Sequence, residues 1–471
     1  MSLHSLKIKE KNPRYLLSCS QVGNILLSTL ERTISMASKK KENDFSFLKE
    51  KKTWQRIGFT FLILAIYRIG STIPVPGTDT SMMKLLLSQN SVFALMNMFG
   101  GGSLERMSIF AMGVGPYITA SIVVQLLSMD VIPYLASLRD EGKKGQQKLN
   151  EITKYVGLVL TIVQATSLVY GFDKQYHIMT DTTFTSYLFT VIVMTAGSMT
   201  LVWFGDQIAL KGIGGGLSMI IFAGIVSNMP ASFAQAFAVT AASKTAAGVI
   251  SFIIYCAVFV AIILLVLGME LAVRKIPVHY AGRTVKGGNM TYIPFRINSA
   301  SVLPVIFASS VISAPQIILS FVNVDIYQKV SSFLSLQKPF SLILYAVLIV
   351  VFDFVYTEMQ VSPTEIANIL KKNNGLIPGI RAGSETINYL TSTLRHLTVF
   401  GASGLLVVAL IPYLVPMLTQ LPSSMGIGGT GIIIVVGVAL ETIRQLQAEN
   451  TKVRYKDYVN YKTFERGGIF R

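Results

Sequence analysis

Residues 212–229 read GIGGGLSMIIFAGIVSNM, and residues 426–440 read GIGGTGIIIVVGVAL. Each is a run of glycines opening directly into an apolar segment of about the length that can cross a bilayer. In a membrane, backbone can depart from helix only where it is buried in protein or lines a wet cavity. A matched pair of glycine-broken spans therefore points to a translocation path built from an internal repeat. The competing explanation is chance, because membrane helices are rich in glycine and four residues match easily.

Scanning outward from these two gives ten apolar runs, at 57–73, 108–129, 155–172, 187–204, 212–229, 246–269, 299–322, 340–356, 397–418 and 426–440. At roughly 20 residues each, ten spans need about 200 of the 471 residues and leave room for loops. The two glycine-led runs are the fifth and the tenth. Five spans is an odd number, so a duplicated half would insert upside down, as in many transport proteins. The expected organisation is a basic cytosolic extension (1–53), two inverted five-helix halves (54–245 and 246–442) around an hourglass pore, and a cytosolic tail (443–471).

Composition agrees with a membrane protein. Hydrophobic residues make up 51% and charged residues 14%, against about 25% charged in soluble domains, and mean hydropathy is +0.55. Disorder, a fibre and an ordinary cytosolic enzyme are excluded. An even span count puts both termini on one side. With them cytosolic, 34 of the 41 Lys and Arg lie inside, six lie in outside loops and Arg68 lies in a span. That asymmetry is the positive-inside pattern, and a missed helix would scramble it. The net charge of +17 thus reads as topogenic and lipid-facing, or as a docking face for a large anionic partner such as the ribosome. The first 53 residues carry no cleavable signal peptide. They read as a solvated extension with Met36 as a candidate start, the alternative being a short amphipathic helix at 21–36.

No site chemistry of the enzymatic kind is legible. Cys19 and Cys256 are too few for a disulfide framework, and His4, His177, His279 and His396 are scattered, so neither a metal nor a cofactor is expected. Nothing resembles a nucleotide loop or a catalytic triad. Arg68, near the outer end of span one, can snorkel to the interface, and Asp353 lies near the inner end of span eight. An ion-coupled transporter keeps acids at the midplane, and none stand there. Polar groups inside spans are sparse: Gln125, Gln164, Ser309 and Ser310, each of which could be ordinary interhelical bonding. The stretch from Ala94 to Met107 holds Asn97, Met98, Phe99 and the triplet Gly100, Gly101, Gly102. Too short to cross and too apolar for an outer loop, it is expected to re-enter the membrane.

Several stretches occur together in an order that carries more weight than any one alone. They are Arg68-Ile69-Gly70-Ser71 running into Pro74-Val75-Pro76-Gly77, Asn97-Met98-Phe99, Ser108-Ile109-Phe110-Ala111, Pro116-Tyr117-Ile118 and Lys148-Leu149-Asn150. Gly212-Ile213-Gly214, Ile221-Phe222-Ala223-Gly224, Phe307-Ala308-Ser309-Ser310 and Pro378-Gly379-Ile380-Arg381 follow. In these the chain resembles the SecY family, the central subunit of the protein-conducting channel, over nearly all of Trp54 to about Glu449. The resemblance implies an all-α clamshell of two five-helix halves in the cell membrane. It implies a pore ring at Val114, Ile118, Leu217, Ile221, Ile306 and Ile434, with residues 94–107 as the plug. Spans two and three against seven and eight would form a lateral gate carrying Gln125, Gln164, Ser309 and Ser310.

The same resemblance implies passage of unfolded preproteins and release of signal sequences and membrane segments into the lipid bilayer. The motor would be separate: a SecA ATPase or a ribosome docking on Arg381, Lys371, Lys372, Arg283 and Lys286, with Arg274, Lys275, Arg296 and Arg395 nearby. SecE-like and SecG-like small subunits would complete the complex. Three departures bear on docking: the loop after span six is short and lacks a basic tip, Ala382 stands where proline is usual, and Gly215 stands where asparagine is usual. They leave room for an accessory paralogue. The rivals are an ion-coupled small-solute transporter and a membrane-anchored nucleic-acid binder.

Overall fold

The computed structural model describes residues 51–80, 83, 97, 100–129, 131–176, 178–242, 246–280, 291–300, 302–319, 330, 333, 338–419 and 431–448. The second glycine lead-in (426–430), His4, His177, Cys19, the 1–50 extension and most of the 443–471 tail lie outside them. The described chain is overwhelmingly helical. In order come α1 (Lys51–Gly70), α2 (Gly115–Leu127), α3 (Pro133–Asp140), α4 (Lys143–Tyr176), α5 (Phe184–Lys211), α6 (Leu217–Ala242) and α7 (Ala246–Leu271). After strands β1 (Val273–Tyr280) and β2 (Thr291–Arg296) come α8 (Leu303–Leu319), α9 (Pro339–Gln360) and α10 (Pro363–Lys372). Strand β3 (Gly375–Leu376) and helix α11 (Ser384–Thr419) follow, and α12 runs over Gly431–Ala448.

Among the described residues, seven helices are long and apolar enough to cross a membrane. They fall in α4, α5, α6, α7, the stretch Pro339–Lys372, α11 and α12, while α2 and the start of α8 are shorter apolar helices. Many large side chains on these helices, such as Ile192, Ile253 and Ile343, are exposed, as a lipid-facing surface requires.

The second apolar run does not begin as a helix. Ser108 forms an isolated bridge with Pro74, residues 109–114 are turns, and α2 starts only at Gly115-Pro116. Gly113 has φ +57, a conformation that side chains with a Cβ rarely adopt. Buried backbone of this kind needs partners. Ser198 Oγ of α5 donates to the Gly113 carbonyl at 2.8 Å, and Ile109 N–H reaches the Ile73 carbonyl at 3.2 Å.

A three-stranded antiparallel sheet, ordered β2-β1-β3, was not expected. Val273 pairs with Arg296 and Val278 with Thr291, while His279 pairs with Leu376 and Tyr280 with Gly375. Its inner residues Ile276, Val278 and Phe295 share one apolar core with Ala367 and Leu370 of α10 and with Leu390 and Leu394 of α11. Helix α10 starts where its sequence says it should: Ser362 Oγ accepts from Glu365 N–H at 3.3 Å, an N-cap ahead of Pro363.

Candidate functional site

A single apolar cluster collects the whole ring named from the sequence. Val114, Ile221, Ile306 and Ile434 are buried in it, and Ile118 and Leu217 are partly buried against it. They come from four separate helices: α2 and the residue capping it, α6, α8 and α12. Around them stand Ile63 and Tyr67 of α1 and Leu201, Phe204 and Ile208 of α5. Branched aliphatics from distant parts of the sequence thus converge without a charged group among them. A second cluster gathers α7, α8, α9, α11 and α12 around Val266, Tyr345 and Leu405, with Ala236 from the end of α6.

The start of α6 and the last turns of α12 are tied by polar contacts. Two N–H groups of the glycine lead-in to α6 are taken by side chains from other helices. Ile213 N–H donates to Thr60 Oγ1 of α1 at 2.9 Å, and Gly214 N–H donates to Gln445 Oε1 of α12 at 2.7 Å. Beside it, Asn298 Nδ2 donates to the buried Glu270 Oε1 at 2.9 Å, and Arg444 of α12 donates to the Glu270 carbonyl at 2.9 Å. None of these partners was singled out from the sequence.

Of the predicted plug residues, Asn97, Gly100, Gly101 and Gly102 are described, while Met98 and Phe99 lie outside the described residues. The glycine turn closes on Asn97, whose carbonyl accepts Gly102 N–H at 2.9 Å and whose Oδ1 accepts Glu105 N–H at 3.0 Å. It sits between α1 and α6. Tyr67 Oη donates to the Gly100 carbonyl at 2.9 Å. Arg68, half-buried, donates to the Gly101 carbonyl at 2.8 Å. Arg68 therefore reaches the glycine turn. A carbonyl within reach lets the guanidinium keep a hydrogen bond without travelling to the interface.

The four gate residues lie on the helices expected, with Gln125 on α2, Gln164 on α4, and Ser309 and Ser310 on α8. Helix α8 touches both α2 and α4. Gln125 is exposed and donates to Ser121 at 3.2 Å, and Ser309 donates to the Ile306 carbonyl at 2.8 Å. Both bonds stay within a helix and do not cross the seam. What does cross toward the α9 side is Arg139 of α3, whose guanidinium meets the Met359 carbonyl at 3.4 Å. It borders a cavity of about 230 Å³ lined also by Gln125, Gln146, Asn150, Tyr356 and Gln360.

Arg381, Lys371 and Lys372 are all exposed beside β3 and the end of α10, while Arg283 and Lys286 lie outside the described residues. The backbone at Arg381 is pinned: its N–H donates to Glu385 Oε2 at 3.3 Å, and its carbonyl accepts from Thr386 Oγ1 at 2.7 Å. Arg274, Lys275 and Arg296 are exposed on the sheet, and Arg395 is exposed on α11. Among the described residues no group of His, Cys, Asp and Glu could hold a metal ion.

Comparison with known proteins gives a concordant result. The family model for SecY matches residues 108–443. The protein translocase subunit SecY of Bacillus licheniformis is 40% identical over 88% of this chain and 99% of its own length. That of Staphylococcus aureus is 38% identical over 88% and 98%. Among solved structures, a protein-conducting channel is 18% identical, covers 85% of this chain and 93% of its own, and superposes with a TM-score of 0.63. Sec61 in the canine ribosome–channel complex is 19% identical with the same coverages and a TM-score of 0.61.

Proposed function

The chain belongs to the SecY family, and from that premise we propose that it is the channel subunit of a protein translocase. It passes unfolded preproteins across a membrane and releases hydrophobic segments sideways. The observation that carries this reading is the convergence of Val114, Ile118, Leu217, Ile221, Ile306 and Ile434 in one apolar cluster drawn from four helices. A collar of branched apolar side chains offers water no hydrogen bonds, so a narrow pore through it dewets and refuses ions. The same collar fits an extended chain whatever its sequence.

The architecture proposed is ten spans in two inverted halves, 54–245 and 246–442, with both termini cytosolic and residues 94–107 seated as a plug. The gate lies between α2/α4 and α8/α9. A segment leaves through it when lipid is the better solvent: Leu, Ile, Phe and Val favour the bilayer by about 0.3–0.6 kcal/mol each, and a central Arg or Asp costs about 2.5–3.5. The gate thus sorts by partitioning and need not read sequence, which suits a seam whose observed side-chain bonds at Gln125 and Ser309 stay within their own helices.

The work comes from a partner. The exposed Arg381, Lys371 and Lys372 stand on one scaffold of sheet, α10 and α11, which we assign, together with Arg283 and Lys286, as the dock for a SecA-type ATPase or a ribosome. An arginine there can grip carboxylate or phosphate with two bonds. SecE-like and SecG-like subunits complete the assembly. The chain itself is a conduit and not an enzyme. An ion-coupled solute transporter gains no support from the family or from the ring.

The test is reconstitution with the small subunits and the motor in vesicles, with cysteines placed singly at the six ring positions. A stalled preprotein carrying one cysteine is expected to form disulfides with all six. Solute uptake driven by an ion gradient, without protease-protected preprotein, would overturn the reading.

A further inference from the structure

Four observations meet at the glycine turn 100–102. Tyr67 Oη donates to the Gly100 carbonyl and Arg68 to the next carbonyl, Gly101, so two consecutive residues of α1 grip two consecutive peptide groups. Gly101 has φ +68, and a Cβ there would stand 2.8 Å from the Gly224 Cα of α6 and 2.8 Å from Tyr67 Oη. The turn is thus wedged backbone to backbone against α6, a seat open to glycine alone. A Cβ on Gly102 would lie 3.0 Å from Asn228 Oδ1 of the same helix. Against this grip stands a debt inside the segment itself. The hydroxyls of Ser103 and Ser108 are fully buried and find no hydrogen-bond partner among the described residues. Buried hydroxyls without partners favour a state in which they reach water.

We propose that Tyr67 and Arg68 form a carbonyl catch that holds the glycine turn in its seat against α6, while Ser103 and Ser108 bias the segment toward leaving it. The catch and the bias act on the same segment with opposite sign. Neither residue of the catch needs to touch a passing chain; both are positioning residues that set how readily the seat empties. Release requires only that α1 and α6 separate slightly, because a wedge between two helices loses its contacts with both at once. This inference rests on the channel reading of the preceding subsection, and it adds to it what sets the resting balance.

The experiment uses the reconstituted complex with two readouts. One is resting ion conductance in a planar bilayer. The other is the rate at which a membrane-impermeant maleimide labels a cysteine at Arg106, with Cys19 and Cys256 replaced by serine. Tyr67→Phe keeps the ring and removes one donor, and Arg68→Gln removes the charge. Each is expected to raise both readouts about fivefold, the weight of one hydrogen bond. Arg68→Lys, which restores a charged donor, is expected to recover part of the loss.

Ser103→Ala carries the decisive sign, because removing an unpartnered hydroxyl should slow labelling below the unsubstituted rate. Unchanged labelling in Tyr67→Phe and Arg68→Gln would overturn the catch. Faster labelling in Ser103→Ala would overturn the bias. A raised conductance without faster labelling would place the leak elsewhere and also overturn the catch. Failure of the unsubstituted complex to move a preprotein is scored separately, and it sinks the channel reading without bearing on these ratios.

Discussion

The collar and the joints that frame it are built on opposite chemistry. In the collar, Val114, Ile118, Leu217, Ile221, Ile306 and Ile434 meet through dispersion and burial alone, with Phe204 and Ile208 behind them. At the joints, contact is made by single directed bonds: Ile213 to Thr60, Gly214 to Gln445, Asn298 to Glu270, and the α1 grip on Gly100 and Gly101. An apolar contact tolerates shape changes among its members when volume is kept. A buried hydrogen bond does not tolerate losing one partner. If the cluster is the pore collar proposed above, the difference is a division of labour, in which the middle yields to many chains while the ends hold register.

The largest effect that would break this comparison is expected in the middle. Ile118→Asn, Leu217→Asn and Ile434→Asn together give water three footholds in a collar that offered none. At about 1 kcal/mol for each hydrogen bond, resting ion conductance should rise about fivefold per substitution and on the order of 100-fold for all three. Single-channel recording in a planar bilayer checks it, and an unchanged leak would remove these residues from the pore. Next in size is Thr60→Val, which keeps the shape but leaves the buried Ile213 N–H without its acceptor. We expect a loss of about 2 kcal/mol, read as a lowered midpoint of thermal unfolding in detergent. The matched control Ile221→Val should cost only about 0.5–1.5 kcal/mol. Equal losses would erase the distinction between joint and collar.

Most of the helical scaffold was legible because hydropathy over a run as long as 246–269 admits few readings. The irregular start at 108–114 was not, since apolar content is the same whether such a run is helical or coiled, and only Gly113 and Pro116 hinted at the break. The sheet was hidden for a different reason. In Val273–Tyr280 the buried positions Ile276 and Val278 alternate over only three residues, and Pro277 sits between them, where a proline argues against a strand. The six residues proposed as the collar were chosen through the register of a resemblance; aliphatic character alone would have chosen dozens. The bond from Arg68 to the Gly101 carbonyl was not legible, because a partner 33 residues away leaves no periodic trace. Thr60, Gln445 and Asn298 were missed for the same reason.

At the proposed dock the contrast can be sharpened with a change that should leave the fold alone. Arg381 is exposed, and the bonds that hold its loop are made by its backbone to Glu385 and Thr386. Arg381→Glu should therefore keep the unfolding midpoint while slowing motor-driven translocation about fivefold, the weight of reversing one exposed charge pair. Addition of salt should narrow the difference between the variant and the unsubstituted protein. A shifted midpoint with normal transport would make Arg381 part of the scaffold.

The smallest effect is expected where a joint is polar but wet. Lys154 of α4 and Asp206 of α5 meet at 2.6 Å, yet their side chains are 41% and 38% exposed. Water competes for both ends of such a pair, and salt screens what remains, so the coupling in a double-mutant cycle should be only about 0.2–1 kcal/mol. Lys154→Met, Asp206→Asn and the double variant, measured by unfolding at low and high salt, give that coupling directly. A value near the loss expected for Thr60→Val would mean that directedness alone makes a joint strong. A value well below it would mean that burial is what turns a directed bond into a fixed point. The second outcome is the one that exposure predicts, and it would place the fixed points of this channel at the buried Thr60, Glu270 and Asn298.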